Sequence, residues 1–214
     1  QGTFGPTRAG ITAAAQQTYG EWFAEQAAFP ASLTLPWVQE NTTDAFGRPW
    51  WTHAVMAQDQ LRQRVAFALS EIMVISAPPD SVNGPAVNQA AYYDVLVRNA
   101  LGNFRTLLEQ VTLSPAMGLF LNMWRNNKAD PATGVHADQN YAREVMQLFS
   151  IGLVELNLDG TVRTDAQGQP IPTYGQPEVE AMANVLTGWA SNPVTHTGEG
   201  AWLYDSDYIN PMVP

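Results

Sequence analysis

The chain has no cysteine, hardly any lysine and no long apolar run, and each shortage removes a class of function. Without thiols, disulfide scaffolds, thiolate nucleophiles and cysteine metal centres are excluded, and no redox compartment is favoured. A metal site would have to be built from His, Asp and Glu. No stretch approaches the roughly 18 apolar residues of a membrane span, and no basic segment leads into an apolar one as in a signal sequence. Charged residues make up only 14%, and the net charge of -10 argues against a phosphate-backbone partner, so nucleic acid is set aside. All but Lys128 of the ten basic residues are Arg, which suits bidentate, partly buried carboxylate pairing better than Lys does.

What is present is a neutral polar surface of Gln, Asn and Thr around enough apolar residues for one sizeable core. At 214 residues the default is one helical domain over 1–214. The opening "QGTFGPT" and the closing "DYINPMVP" read as a piece of a longer chain. The pattern between them predicts a mainly α fold, an irregular multi-helix bundle with one small β-hairpin. Thr7 can cap a first helix, and Thr18 with Glu21 has capping-box spacing for a second. Pro30 and Pro36 punctuate a loop, and Trp50 and Trp51 fall in an extended or turn segment. "QLRQRVAFALSEIMVIS" places Leu61, Val65, Ala68, Leu69 and Ile72 on one stripe, so this helix should be central and Glu71 buried beside Arg64. Asp94 and Arg98 have i,i+4 spacing, and Gly102-Asn103 breaks their helix. Ser114-Pro115 opens "AMGLFLNMWRN" as a helix, Asp159-Gly160 marks a two-residue hairpin turn near 155–164, and Pro177 to Gly188 frames a last helix.

The densest stretch is "DQNYAREVMQLFSIGLVEL", residues 138–156. On a helical wheel of 139–151, Tyr141, Ala142, Val145, Met146, Leu148 and Phe149 share one arc, and Gln139, Asn140, Arg143, Glu144, Gln147 and Ser150 the other. The polar side is rich in amides rather than Lys and Glu. A satisfied buried network, a solvated face and a ligand site all remain open for it.

A glycosidase-like reaction needs two carboxylates. Glu71 and Glu144 are the best pair, with Arg143 beside them as the third catalytic candidate. Arg64, Asn140, Gln147, Trp50 and Trp51 are candidate binding residues, the tryptophans as stacking platforms for sugar rings alongside Trp124, Trp189 and Trp202. The simpler reading gives each carboxylate an Arg partner and a structural role. In that case Glu144→Gln would cost roughly 3–5 kcal/mol by leaving a buried charge unpaired. His53, His136 and His196 lie in separate segments without metal-ligand spacing, so no metal or other cofactor is expected. Asn157 and Asp159 echo a calcium loop but lack its bidentate Glu. Motifs for a serine nucleophile, a phosphate loop or a dinucleotide are absent.

"QGTFGPT", "DQLRQRVAFALSEIMVIS", "YYDVLVRNALGNFRTLLEQVTLSPAMGLFLNM", "NYAREVMQLFSIGLVELNLDGT" and "LTGW" together resemble the bacterial family catalogued as domain of unknown function 1800, over nearly the whole chain. The resemblance implies the N-terminal part of a longer, exported protein, secreted, periplasmic or at the cell surface, and supplies no mechanism. It implies as a partner a co-encoded secreted protein similar to sulfatases and phosphatases; self-association or an extracellular polymer are the other partners expected. Gln139 stands where members of that family commonly carry Glu, which weakens a catalytic reading of the 138–156 stretch. The expectation is therefore a non-catalytic binding or surface protein, with a hydrolase of an extracellular polymer such as a glycan as the alternative.

Overall fold

The computed structural model describes residues 7–40, 46–76, 86–191 and 207–214. Its helices are α1 (Arg8–Ala14), α2 (Tyr19–Ala28), α3 (Leu35–Glu40), α4 (Gly47–Met56), α5 (Gln60–Ile72), α6 (Ala86–Asn99), α7 (Phe104–Thr112), α8 (Pro115–Phe120), α9 (Asn140–Gln147) and α10 (Gln176–Val185). The early caps are as expected. The Thr7 side chain accepts from the Gly10 amide, and Thr18 and Glu21 form a reciprocal capping box. Asn103 accepts from the Arg105 and Thr106 amides to open α7.

Several elements depart from expectation. Trp50 and Trp51 are helical, because Pro49 falls in the first turn of α4, where its missing N–H has no helical acceptor to lose. Pro36 lies in the first turn of α3 for the same reason. The "AMGLFLNMWRN" helix stops at Phe120, and Asn122 and Arg125 then take φ of 59° and 56°. Helix α9 ends at Gln147, where the Phe149 amide reaches back to the Glu144 carbonyl and Gly152 turns the chain at φ 75°.

The expected hairpin is replaced by isolated bridges, Leu156 to Val162, Thr164 to Pro170 and Val154 to Pro172, with no sheet among the described residues. The turn also differs. The Asn157 amide donates to the Thr161 carbonyl across Leu158, Asp159 and Gly160, and of these only Gly160 has positive φ, where a two-residue turn of the expected type would need it at Asp159 as well.

Helix α6, rather than α5, is the hub. It packs against α3, α5, α7 and α8, and Ala90, Tyr92, Tyr93, Leu96 and Val97 bury nearly every side of it. Ala66, Leu107, Val111, Met117, Tyr141, Phe149 and Met212 complete the main core. Met212 seats over Gly118, where an added Cβ would come within 2.7 Å of its sulfur.

Helix α5 is rotated relative to its apolar stripe, of which Leu61, Val65 and Leu69 are only half-buried. Gln60, Gln63 and Ala66 face inward, while Phe67 and Ile72 are exposed. The cause is the irregular segment around residues 30–34, whose backbone groups need polar partners. Asp59 accepts from the Ser32 amide at 2.9 Å, Gln63 donates to the Ser32 carbonyl at 3.0 Å, and the His53 ring meets the Leu33 carbonyl at 3.2 Å. Arg62 donates to the Ala27 carbonyl at 3.1 Å.

Asp94, fully buried on α6, closes this arrangement. Its two oxygens accept from the Thr34 amide at 2.7 Å and the Leu35 amide at 3.1 Å, which caps α3, and Arg98 lies 3.9 Å away at the expected i,i+4 spacing. Burial pushes the carboxyl above its ordinary pKa, and the two amides, Arg98 and His53 draw it part of the way back.

Asp94→Ala leaves two buried amides without an acceptor and should cost about 2–4 kcal/mol, read as a lower urea midpoint at unchanged slope. Because the folded protein holds this proton to higher pH than the unfolded chain does, the stabilisation is complete below the unfolded pKa. It is lost as pH rises through the folded one. The stability gap between the native protein and Asp94→Asn should therefore narrow from acid toward neutral pH, and a gap that widens would contradict this sign.

Candidate functional site

Three of the surface pockets sort the sequence candidates into separate places. One, of about 280 Å³, lies where α4, α5 and α6 meet. Tyr92 and Tyr93 of α6 lie almost wholly buried at its base, and Phe46, Trp50 and the half-exposed Phe67 contribute further rings, with Glu71, Ser70 and Gln89 as polar lining. The rings brace one another edge-on or tilted. Trp50 lies 5.8 Å from Phe67 and 6.1 Å from Tyr93, and Phe46 lies 5.7 Å from Tyr93. Burial raises the Tyr93 hydroxyl pKa, opposed by its hydrogen bond with Trp50, and the Tyr92 hydroxyl donates to the Met73 carbonyl. The rings are thus held before any ligand arrives.

This pocket unites Glu71 and Trp50, two of the sequence candidates. Glu71 is exposed rather than buried, and neither a hydrogen bond nor an ion pair joins it to Arg64, which is exposed too. Glu71 lies off the apolar stripe of α5, on a side of the helix that the core does not cover. Trp51, 64% exposed, stacks edge-on against Trp50 at 4.8 Å but lies outside the lining.

The other rings of the pocket had not been singled out in the sequence, although a signal for them exists. Phe46 and Trp50, Phe67 and Glu71, and Gln89 and Tyr93 are each four residues apart, so each pair shares a helix face or entry turn. What the spacing does not contain is that the three pairs converge.

A second pocket, of about 430 Å³, is an apolar groove between α7, α9 and α10, lined by Leu108, Val145, Met182 and Trp189 with Arg105 and Glu109. Within the lining, the hydroxyls of Thr112 and Tyr141 lie 2.7 Å apart. The polar side of α9 borders a different feature. Arg143 contacts Gln139 and Gln176 at 3.4 Å each, and Gln176 donates to Gln139 at 2.9 Å and to Glu180 at 3.0 Å. Gln139 thus works as an acceptor between α9 and α10.

Glu144 lines none of the three pockets. One of its carboxylate oxygens is buried without a hydrogen-bond partner, and no Arg pairs with it. Asn140 and Gln147 are likewise outside the pockets. The Asp138 carboxylate accepts from the Asn140 amide, the first of α9, at 2.8 Å.

The third pocket, about 350 Å³, has more polar lining than the other two and follows from the early end of α8. Asn122, Arg125, Asn126, His136 and Asp138 line it. Asn126 exchanges two hydrogen bonds with the Asp138 backbone at 2.8 and 2.9 Å, and Arg125 lies 4.3 Å from the centre of the Trp124 ring.

Among the described residues no group of three His, Asp or Glu side chains could hold a metal ion. Asp159 uses its side chain in its own turn, accepting from the Thr161 amide at 3.0 Å and the Thr161 hydroxyl at 2.6 Å, which holds its carboxyl below the ordinary range. The nearby Asn157 side chain donates to the Thr161 hydroxyl. His196 and Trp202 lie outside the described residues. No helix of the described residues is long and apolar enough to cross a membrane.

A family model described as "Protein of unknown function (DUF1800)" matches residues 1–211. No curated protein and no solved structure matches the chain.

With no ion pair to lose, Glu144→Gln should leave stability unchanged or raise it by up to about 1 kcal/mol, since it replaces a carboxylate with an orphaned buried oxygen by a neutral amide. A loss of 3 kcal/mol or more in chemical denaturation would restore a paired, structural Glu144.

Proposed function

The chain belongs to the DUF1800 family, and for it we propose a non-catalytic binding role, with the aromatic pocket between α4, α5 and α6 as the site and a glycan as the ligand. The observation that carries this reading is the convergence of Phe46, Trp50, Phe67, Tyr92 and Tyr93 with the unpaired Glu71 and Gln89 around one opening. Aromatic faces cover the apolar C–H surfaces of a sugar ring, and a few polar groups orient its hydroxyls. At about 280 Å³ the pocket is near the small end of ligand sites and suits a single ring.

The rings are fixed by mutual packing and by buried hydroxyls, so little side-chain freedom is lost on binding. An exported location, and extracellular polymer as the natural partner, belong to the same reading.

The hydrolase alternative draws less support. Its two carboxylates do not share any of these three pockets, Glu71 being at the aromatic site and Glu144 outside all three.

Affinity electrophoresis through gels containing bacterial and plant glycans tests the proposal. At least one glycan should retard the protein, Phe67→Ala should weaken that retardation about tenfold, equivalent to about 1.4 kcal/mol, and Trp51→Ala should leave it nearly intact. Retardation that survives Phe67→Ala would move the site elsewhere. Release of reducing ends that disappears in Glu71→Gln would establish the hydrolase instead.

A further inference from the structure

We propose that the ring taken up by the aromatic pocket carries a protonated amine, as an unacetylated amino sugar does, and that Glu71 is its counter-ion. The inference rests on the glycan reading above and names the sugar chemistry within it.

Three observations support it. Glu71 is the charged member of the lining, and it has neither hydrogen-bond nor ion-pair partner among the described residues. The charge at this opening is therefore negative and uncompensated. The rings beside it add to the same sign, because an aromatic face presents the negative side of its quadrupole and attracts an ammonium group. Trp50, Phe67 and Phe46 are packed as a braced set that could flank such a group. Finally, the whole chain carries -10, which raises the local concentration of cationic ligands.

Other ligand classes fit less well. A uronic or sulfated sugar would bring its anion against Glu71 with no Arg or Lys in the lining to offset the repulsion. A neutral sugar can stack but finds few polar partners, because the Ser70 hydroxyl is already engaged, donating to the Phe67 carbonyl at 2.7 Å. Glu71 and Gln89 remain, and only a cation draws the full worth of the carboxylate.

The test compares two probes of equal length, a glucosamine oligosaccharide and its fully N-acetylated counterpart. Binding to the full chain is followed by tryptophan fluorescence at mildly acidic pH and low salt. The amine form is expected to bind about tenfold tighter, with the preference shrinking as salt is raised. Glu71→Gln, at an exposed position whose replacement leaves the fold intact by circular dichroism, should reduce that preference to near unity.

Equal wild-type affinities, a preference that survives Glu71→Gln, or binding of the acetylated probe alone would each overturn the amine inference and leave the glycan reading standing. Binding of neither probe would overturn the amine inference, and the glycan reading would fall separately if no glycan in the electrophoresis panel retards the protein.

Discussion

The way α3, α5 and α6 meet is set by a buried carboxylate. Asp94 sits within the hub helix with no exposure, and its two oxygens hold the first amides of α3. A carboxylate in such a place is costly unless several donors reach it. Once they do, the segment before α3 has a fixed position on α6, and α5 must supply the remaining partners from its inward side. Asp59 and Gln63 meet that requirement together.

The outward face of α5 is a consequence of this. Because the inward side is taken by amides and carboxylates that satisfy a loop, Phe67, Glu71 and Val74 are left along the surface that meets α4 and α6. The candidate site thus takes from α5 residues that lie off its apolar stripe. Tyr92 and Tyr93 join it because they follow one another on α6, where the helix is buried on nearly every side and can contribute to the core and the pocket floor together.

The 138–156 stretch, the densest in chemistry-bearing residues, serves the architecture by most of its contacts. Tyr141, Ala142, Met146 and Phe149 are buried, and Gln139, Arg143, Gln176 and Glu180 link α9 to α10. The distances of 3.4 Å about Arg143 indicate weak bonds, so the network positions one helix against the other more than it stabilises them. Leu148 lies on the apolar arc but is exposed, because the helix ends before it.

The sequence by itself determined the features that depend on near neighbours. Caps at Thr7, Thr18 and Asn103, the Asp94–Arg98 spacing and the apolar arc of α9 are local, and family membership was legible in motifs spread along the chain. Only the tertiary structure decided which face of α5 turns inward, since loop amides far along the chain compete there with hydrophobic periodicity and win. It likewise decided that Glu71 joins Trp50 and not Glu144. Pairs four residues apart define the face of a helix, but the direction in which three such faces meet is set by packing around α6, and no spacing in the sequence carries that angle.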